Sequence, residues 1–79
     1  MTALSDLYTG QSALVTEVSA VGSMRRRFFD IGILTDACVK CVGKSPLGGI
    51  AAYSVRGAVI AVRTKDAAKI TVQPKEDEQ

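Results

Sequence analysis

The sequence predicts an all-β domain: a small closed or nearly closed barrel of about five short strands, with one short helix inserted after the first strand. Three observations predict it. Turn residues recur about every eight to twelve positions, the runs between them alternate apolar with polar residues, and a single stretch places its apolar residues at helical spacing. Closing such a sheet removes edges that a chain of 79 residues could not otherwise cover.

Leu4, Leu7 and Tyr8 form an apolar lead-in that ends at Thr9-Gly10. Gln11 to Ser19 alternates and reads as the first strand, with Ser12, Leu14, Thr16 and Val18 as its better apolar face. Ala20-Val21-Gly22 then turns the chain into the helix. Ser23 is a preferred N-cap, and Gly32 suits the position after a helix where a positive φ is common. At about 100° per residue, Met24, Phe28 and Ile31 fall in one arc and should face the core. Arg27 borders that arc, while Arg25, Arg26 and Phe29 point elsewhere.

Ile33 and Leu34 should re-enter the core, and Thr35-Asp36 makes a tight turn. Ala37 to Val42 reads as the second strand, with Ala37, Val39 and Cys41 inward. Residues 43–49, with three glycines and Pro46, form the longest loop. Ile50 to Val55 and Ala58 to Arg63 are two strands joined by a turn at Arg56-Gly57. Residues 65–69 form a single helical turn, and Ile70 to Val72 a closing strand. The domain is expected to occupy residues 1–73, with residues 74–79 an acidic, disordered tail.

Composition narrows the function classes. There is no run of about eighteen apolar residues to span a bilayer, and the N-terminus lacks the basic-then-apolar pattern of a secretory signal. A cytoplasmic location is the expectation. The net charge of +2 conceals a split, because Lys75, Glu76, Asp77 and Glu78 leave nine cations and five anions in the body. That balance suits an acidic protein surface or a phosphate better than it announces nucleic-acid binding. Binding of a single strand also calls for aromatic platforms on a sheet, and only Tyr53 stands on a predicted strand.

Cys38 and Cys41 invite a metal or redox reading. The chain has no histidine and no further cysteine, so a closed four-ligand zinc site would need carboxylates or a second chain. Three positions apart in a strand, the two Cα atoms lie roughly 10 Å apart on opposite faces. A disulfide requires them within about 7 Å. Cys41 therefore reads as a small core residue and Cys38 as an exposed or half-covered one, with neither a metal site nor a cofactor expected.

Catalytic constellations are missing as well. No histidine offers itself as a base, and no paired carboxylates fall in one predicted pocket. The Gly-rich loop is broken by Pro46 and leads into no helix that could hold phosphate. The chain is expected not to be an enzyme. A partner-binding surface is the better candidate, made of Arg25, Arg26, Arg27 and Phe29 together with Pro46, Leu47 and Gly48, since exposed aromatics beside arginines are enriched at interface centres. The competing reading folds Leu47 back over the barrel end.

The stretch Arg26-Arg27-Phe28-Phe29-Asp30-Ile31-Gly32-Ile33-Leu34, the triplet Pro46-Leu47-Gly48, the run from Val55 to Arg63 and the segment Ala67-Ala68-Lys69-Ile70-Thr71-Val72 together resemble the FeoA family, in order and spacing. The resemblance covers nearly all of residues 4–73. It implies an SH3-like barrel with a helix after the first strand, and a cytosolic accessory of bacterial ferrous iron uptake. It implies as partner a FeoB-type membrane iron transporter with a cytosolic G-protein domain. Thr35-Asp36 stands where that family usually has Pro-Gly, and Cys41 stands in place of an aliphatic residue. Similar barrels form C-terminal domains of metal-dependent repressors, so a metal-responsive regulatory module is the alternative function, and a barrel that binds single-stranded nucleic acid is another.

Overall fold

A computed structural model describes residues 2–75. Six strands form one sheet: β1 (Thr2–Ala3), β2 (Ser12–Val18), β3 (Cys38–Lys44), β4 (Ile50–Val55), β5 (Ala58–Arg63) and β6 (Ile70–Pro74). Their spatial order is β1-β6-β2-β3-β4-β5, and every pairing is antiparallel. Helix α1 (Gly22–Asp30) crosses between β2 and β3, and a short helix α2 (Thr64–Ala67) links β5 to β6. The sheet curls around its core, and α2 packs on both β5 and the 3₁₀ turn Leu4–Asp6, bridging the two edges.

The strand absent from the expected five is β1, because two residues carry no readable alternation. It is fixed by pairing with β6, Thr2 opposite Val72 and Ala3 opposite Thr71. The Asp6 carboxylate accepts from the Ala3 N–H at 3.0 Å, closing the 3₁₀ turn that drops Leu4 and Leu7 into the core. At the other end, β6 runs to Pro74, two residues past the expected end of the closing strand at Val72 and one past residue 73. Pro74 pairs with Ala13, and the Lys75 N–H donates to the Ser12 carbonyl at 2.9 Å. Residues 76–79 of the expected acidic tail lie outside the described residues.

β2 departs from the expected face. Ala13 and Val15 are buried, whereas Leu14 is 37% exposed. A bulge between Val15 and Glu17 explains why the simple alternation misled: the extra residue resets the pleat and returns Val18 to the inner side, half-buried. β3 carries a second bulge between Cys41 and Gly43. Upstream of it Val39 and Cys41 point in, as expected, and Cys38 points out. The two cysteines are free and lie on opposite faces of the strand.

Helix α1 begins at Gly22, one residue ahead of the position expected for its cap. Val21 is the N-cap, and no side chain caps the first turn. Ser23 lies inside the helix, where its hydroxyl is past the point from which a cap reaches the free N–H groups. The expected face holds: Phe28 is buried, and Met24 and Ile31 pack half-buried against the core. Gly32 ends the helix with φ +98°. A Cβ there would stand 2.9 Å from Arg56 Cδ and 3.3 Å from Val55 Cγ1, so the bare backbone also makes room for the β4–β5 turn.

The core gathers Leu4, Leu7, Val15, Phe28, Ile33, Val39, Val55, Ile70 and their neighbours around Tyr53, its largest fully buried side chain. The Tyr53 hydroxyl donates to the Leu4 carbonyl at 3.4 Å, which ties β4 to the N-terminal turn. Burial, and then the adjacent Cys41, push its pKa up to about 12.

Two outcomes are expected. Phe28 is 4% exposed and Phe29 65%. Phe28→Ala should cost about 3–5 kcal/mol, much of the stability of a small domain, while Phe29→Ala should melt close to wild type; equal losses in thermal melts would overturn the helix assignment. The second concerns pH. An unfolded tyrosine ionises near pH 10 and folded Tyr53 near 12. Stability from the neutral phenol is therefore complete below about pH 10 and is lost as pH rises from 10 to 12. In a Tyr8→Phe variant, whose one tyrosine is Tyr53, phenolate absorbance should appear near pH 12; ionisation near 10 in the folded protein would refute the burial argument.

Candidate interaction surface

The exposed residues singled out in the sequence fall on both flanks of α1 and on one distant loop. On the β2 flank, Arg25 and Phe29 line a groove of about 490 Å³ with Glu17 and Val18 of the bulged strand and with Leu34 and Thr35 beyond the helix. Arg25 Nη1 donates to the Val18 carbonyl at 3.2 Å, so this guanidinium is held against β2. Helical spacing sets Arg25 and Phe29 one turn apart on the same face, and the bulge turns Glu17 toward solvent beside them. The result is a groove that an exposed aromatic shares with a cation and an anion, and that buried Ile33 also lines.

On the opposite flank, Arg27 lines a second groove with Phe28 and Ile31, facing residues 60–63 of β5. Arg26 lines neither of these grooves and is exposed. A third groove, sharing Leu34 and Thr35 with the first, runs from Gly32 past Asp36 to Cys38 and Arg56. Asp36 and Arg56 both have positive φ, 76° and 55°. Asp tolerates that region better than most residues, and Arg56 occupies it as the first member of the two-residue β4–β5 turn with Gly57 at φ +85°. Sequence reasoning read Arg56 as a turn residue alone. An arginine at a position that favours Asn or Gly was the signal that its side chain has another task, here packing across Gly32.

Pro46, Leu47 and Gly48 form the tip of the β3–β4 loop. The Gly48 N–H donates to the Ser45 carbonyl at 2.9 Å, and the Leu47 N–H to Ser45 Oγ at 3.3 Å. Pro46 follows Ser45 as the first central residue of this β-turn, the place its fixed φ suits. Leu47 is 96% exposed. The fold-back of Leu47 over the barrel end is thus corrected: the loop closes on itself through Ser45 and holds the leucine out at its tip. None of the three grooves joins this tip to Arg25 and Phe29. The nearest link is Ile50, just past the loop, which shares the second groove with Arg27.

Comparison with known proteins agrees with this architecture. The family model of the FeoA domain matches residues 2–74. The chain is 31% identical over 70 residues to the Fe(2+) transport protein A/Fe(2+) transporter FeoB fusion protein of Porphyromonas gingivalis, a match that takes in 89% of this chain. It spans only 8% of that relative's length. Among solved structures, the FeoA protein of Chlorobium tepidum superimposes with a TM-score of 0.90 at 32% identity, over 99% of this chain and 74% of that one. The zinc complex of Stenotrophomonas maltophilia FeoA, described as a prokaryotic SH3 domain protein, gives 0.80 at 24%, over 92% and 91%. A manganese-dependent transcriptional repressor gives 0.84 at 22%, over 94% of this chain and 36% of the repressor. These last two likenesses are of fold, and the fold is SH3-like. By the match of the family model along residues 2–74 and by its likeness to these relatives, the chain belongs to the FeoA family.

Proposed function

We propose that this chain is a non-catalytic accessory of ferrous iron transport, a protein-binding module that docks on a FeoB-type transporter at the cytosolic face of the membrane. The observation that carries the reading is the relative in which a transport protein A segment and FeoB share one polypeptide. Fusion supplies a high effective concentration by covalent linkage. Where the two are not joined, a binding surface must supply it. The candidate surface is Arg25, Arg26, Arg27 and Phe29 of α1, with Pro46, Leu47 and Gly48 at the β3–β4 tip as a second contact.

Its chemistry suits a protein partner. Phe29 and Leu47 are large exposed apolar groups on rigid supports, one on a helix and the other on a hydrogen-bonded turn. The arginines around Phe29 supply long-range attraction to an acidic surface. The strand aromatic that a nucleic-acid reading would need, Tyr53, is buried and offers no stacking platform. No helix among the described residues is long and apolar enough to cross a membrane.

The test is capture of the detergent-solubilised FeoB-type transporter by this protein, beside melting curves for each variant. Arg25→Glu combined with Arg26→Glu should slow association, with an effect that shrinks as salt is added. Leu47→Asp should speed dissociation and keep its effect at high salt. Full binding by the folded double variant would remove the helix from the surface. Failure of the wild-type protein to capture the transporter would overturn the reading.

A further inference from the structure

The two edges of the sheet are unlike. β1 is two residues long, while β5 is six. A free edge offers unpaired N–H and C=O groups to any extended chain, and proteins blunt it with brevity, prolines, charges or bulges. β5 has none of these along its length. Its register with β4 runs unbroken from Val55 opposite Ala58 to Ile50 opposite Arg63, and its one charge, Arg63, is its last residue. Val59 is 66% exposed and Ala61 is exposed beside it on the outer face.

The turn fixes which groups are free. A two-residue turn closes on a hydrogen-bonded pair, here Val55 and Ala58, and the antiparallel ladder then alternates. Ile60 and Val62 spend their backbone groups on β4. Val59 and Ala61 turn both of theirs to the open edge, and Arg63 its N–H alone, because its carbonyl caps the start of α2. The groove of about 430 Å³ on the second flank of α1 runs along this edge, since four consecutive residues, 60–63, line it. Successive strand side chains point to opposite faces, so the groove reaches both faces of β5 at its backbone edge and, beside Arg63, extends to Ile50 of β4. Across the groove stand Arg27, Phe28 and Ile31, with Asp66 of α2 also on its wall.

The geometry points to β5 as a site of strand addition. An extended segment of the FeoB-type partner, apolar at alternate positions and bearing a carboxylate, pairs with the open backbone at Val59, Ala61 and Arg63 and sets the carboxylate between Arg27 and Arg63. The proposal rests on the protein-binding reading above but uses the opposite flank of α1 from Arg25 and Phe29. Charge decides against a second copy of this chain as the occupant. Arg27 and Arg63 outnumber the one carboxylate of the groove, Asp66, so a second copy would bring the same net positive charge, whereas an acidic segment neutralises the excess. Backbone pairing supplies affinity in this mode, and the groove's side chains supply selection.

Residue-resolved amide exchange of this protein, alone and with the detergent-solubilised FeoB-type transporter, tests the idea. Exchange should slow about tenfold or more at Val59, Ala61 and Arg63, whose N–H groups become paired, and should change little at Ile60 and Val62, which are already bonded to β4. Ala61→Pro removes one edge donor and leaves the β4 ladder whole; it should weaken binding about tenfold or more with a near-native melt, and should it fail to fold, the wild-type exchange pattern decides. Arg27→Glu with Arg63→Glu should weaken binding in a salt-dependent way, and unchanged binding by this folded variant would overturn the acidic occupant. Transporter binding without the alternating protection would overturn strand addition alone, and no binding by wild type would overturn it together with the proposed function. A dimer in sedimentation that Ala61→Pro dissolves would assign the edge to a second copy and overturn the proposal.

Discussion

A sheet of six short strands can enclose a core of its own only if it bends, and that requirement governs this molecule. Two bulges meet it, one in β2 at Val15–Glu17 and one in β3 at Cys41–Gly43. An extra residue on one strand raises the local twist and bends the ladder. With the central strands bent, β1 and β5 are brought within the span of α2, which packs on β5 and on the N-terminal 3₁₀ turn. Tyr53 fills the space so formed, opposite the β3 bulge at Cys41, and reaches Leu4 with its hydroxyl. The same bending determines what is left at the surface. Bulges occupy the middle of the sheet, so β5 keeps a regular edge, and the β2 bulge leaves Glu17 exposed in the groove that Phe29 also lines.

Much of this was legible in the sequence where a local signal was unambiguous. The β4–β5 hairpin was readable to the residue because Arg56-Gly57 marks a two-residue turn between two apolar runs. The buried face of α1 was readable because Met24, Phe28 and Ile31 share one arc. Failures came where pairing partners outweigh local pattern. The face of β2 was inverted because a bulge cannot be seen in alternation, and Leu14 outranks Ala13 on apolar character although Ala13 is the residue inside. β1 has only two residues, and its existence depends on β6, about seventy positions away. The competing reading, which folds Leu47 back over the barrel end, weighs only its apolar side chain. The Ser45 hydroxyl and carbonyl, which hold the turn closed, carry no such hydrophobic signature.

The candidate site was legible in residue type but not in arrangement. Arginines beside an aromatic that misses the buried arc are what singled out the candidate surface in the sequence. Nothing in the sequence says that Arg25 and Arg27 serve different grooves. Two positions apart on a helix lie about 200° apart around the axis, and since α1 is laid between β2 and β5, each arginine meets a different strand. The loop at 46–48 was grouped with the helix by chemistry, whereas the fold sets it nearer to the β5 flank, through Ile50.

Of the three cations on this nine-residue helix, Arg25 ends the first turn, where the helix dipole disfavours an exposed cation by about a few tenths of a kcal/mol, Arg26 sits at mid-helix, and Arg27 lies in the last turn, where the dipole favours it. The helix has no side-chain cap to offset this. Its stability must therefore come from Phe28, whose burial is worth several times that penalty. This division frees the exposed positions of α1 from any part in holding the helix together. Arg25 recovers some of the cost through the Val18 carbonyl. Arg26, at mid-helix, and Arg27, in the last turn, are exposed, and neither is needed to hold the helix in place. The dipole thus does not account for the arginines, and the burial of Phe28 leaves them free to serve the surface rather than the fold.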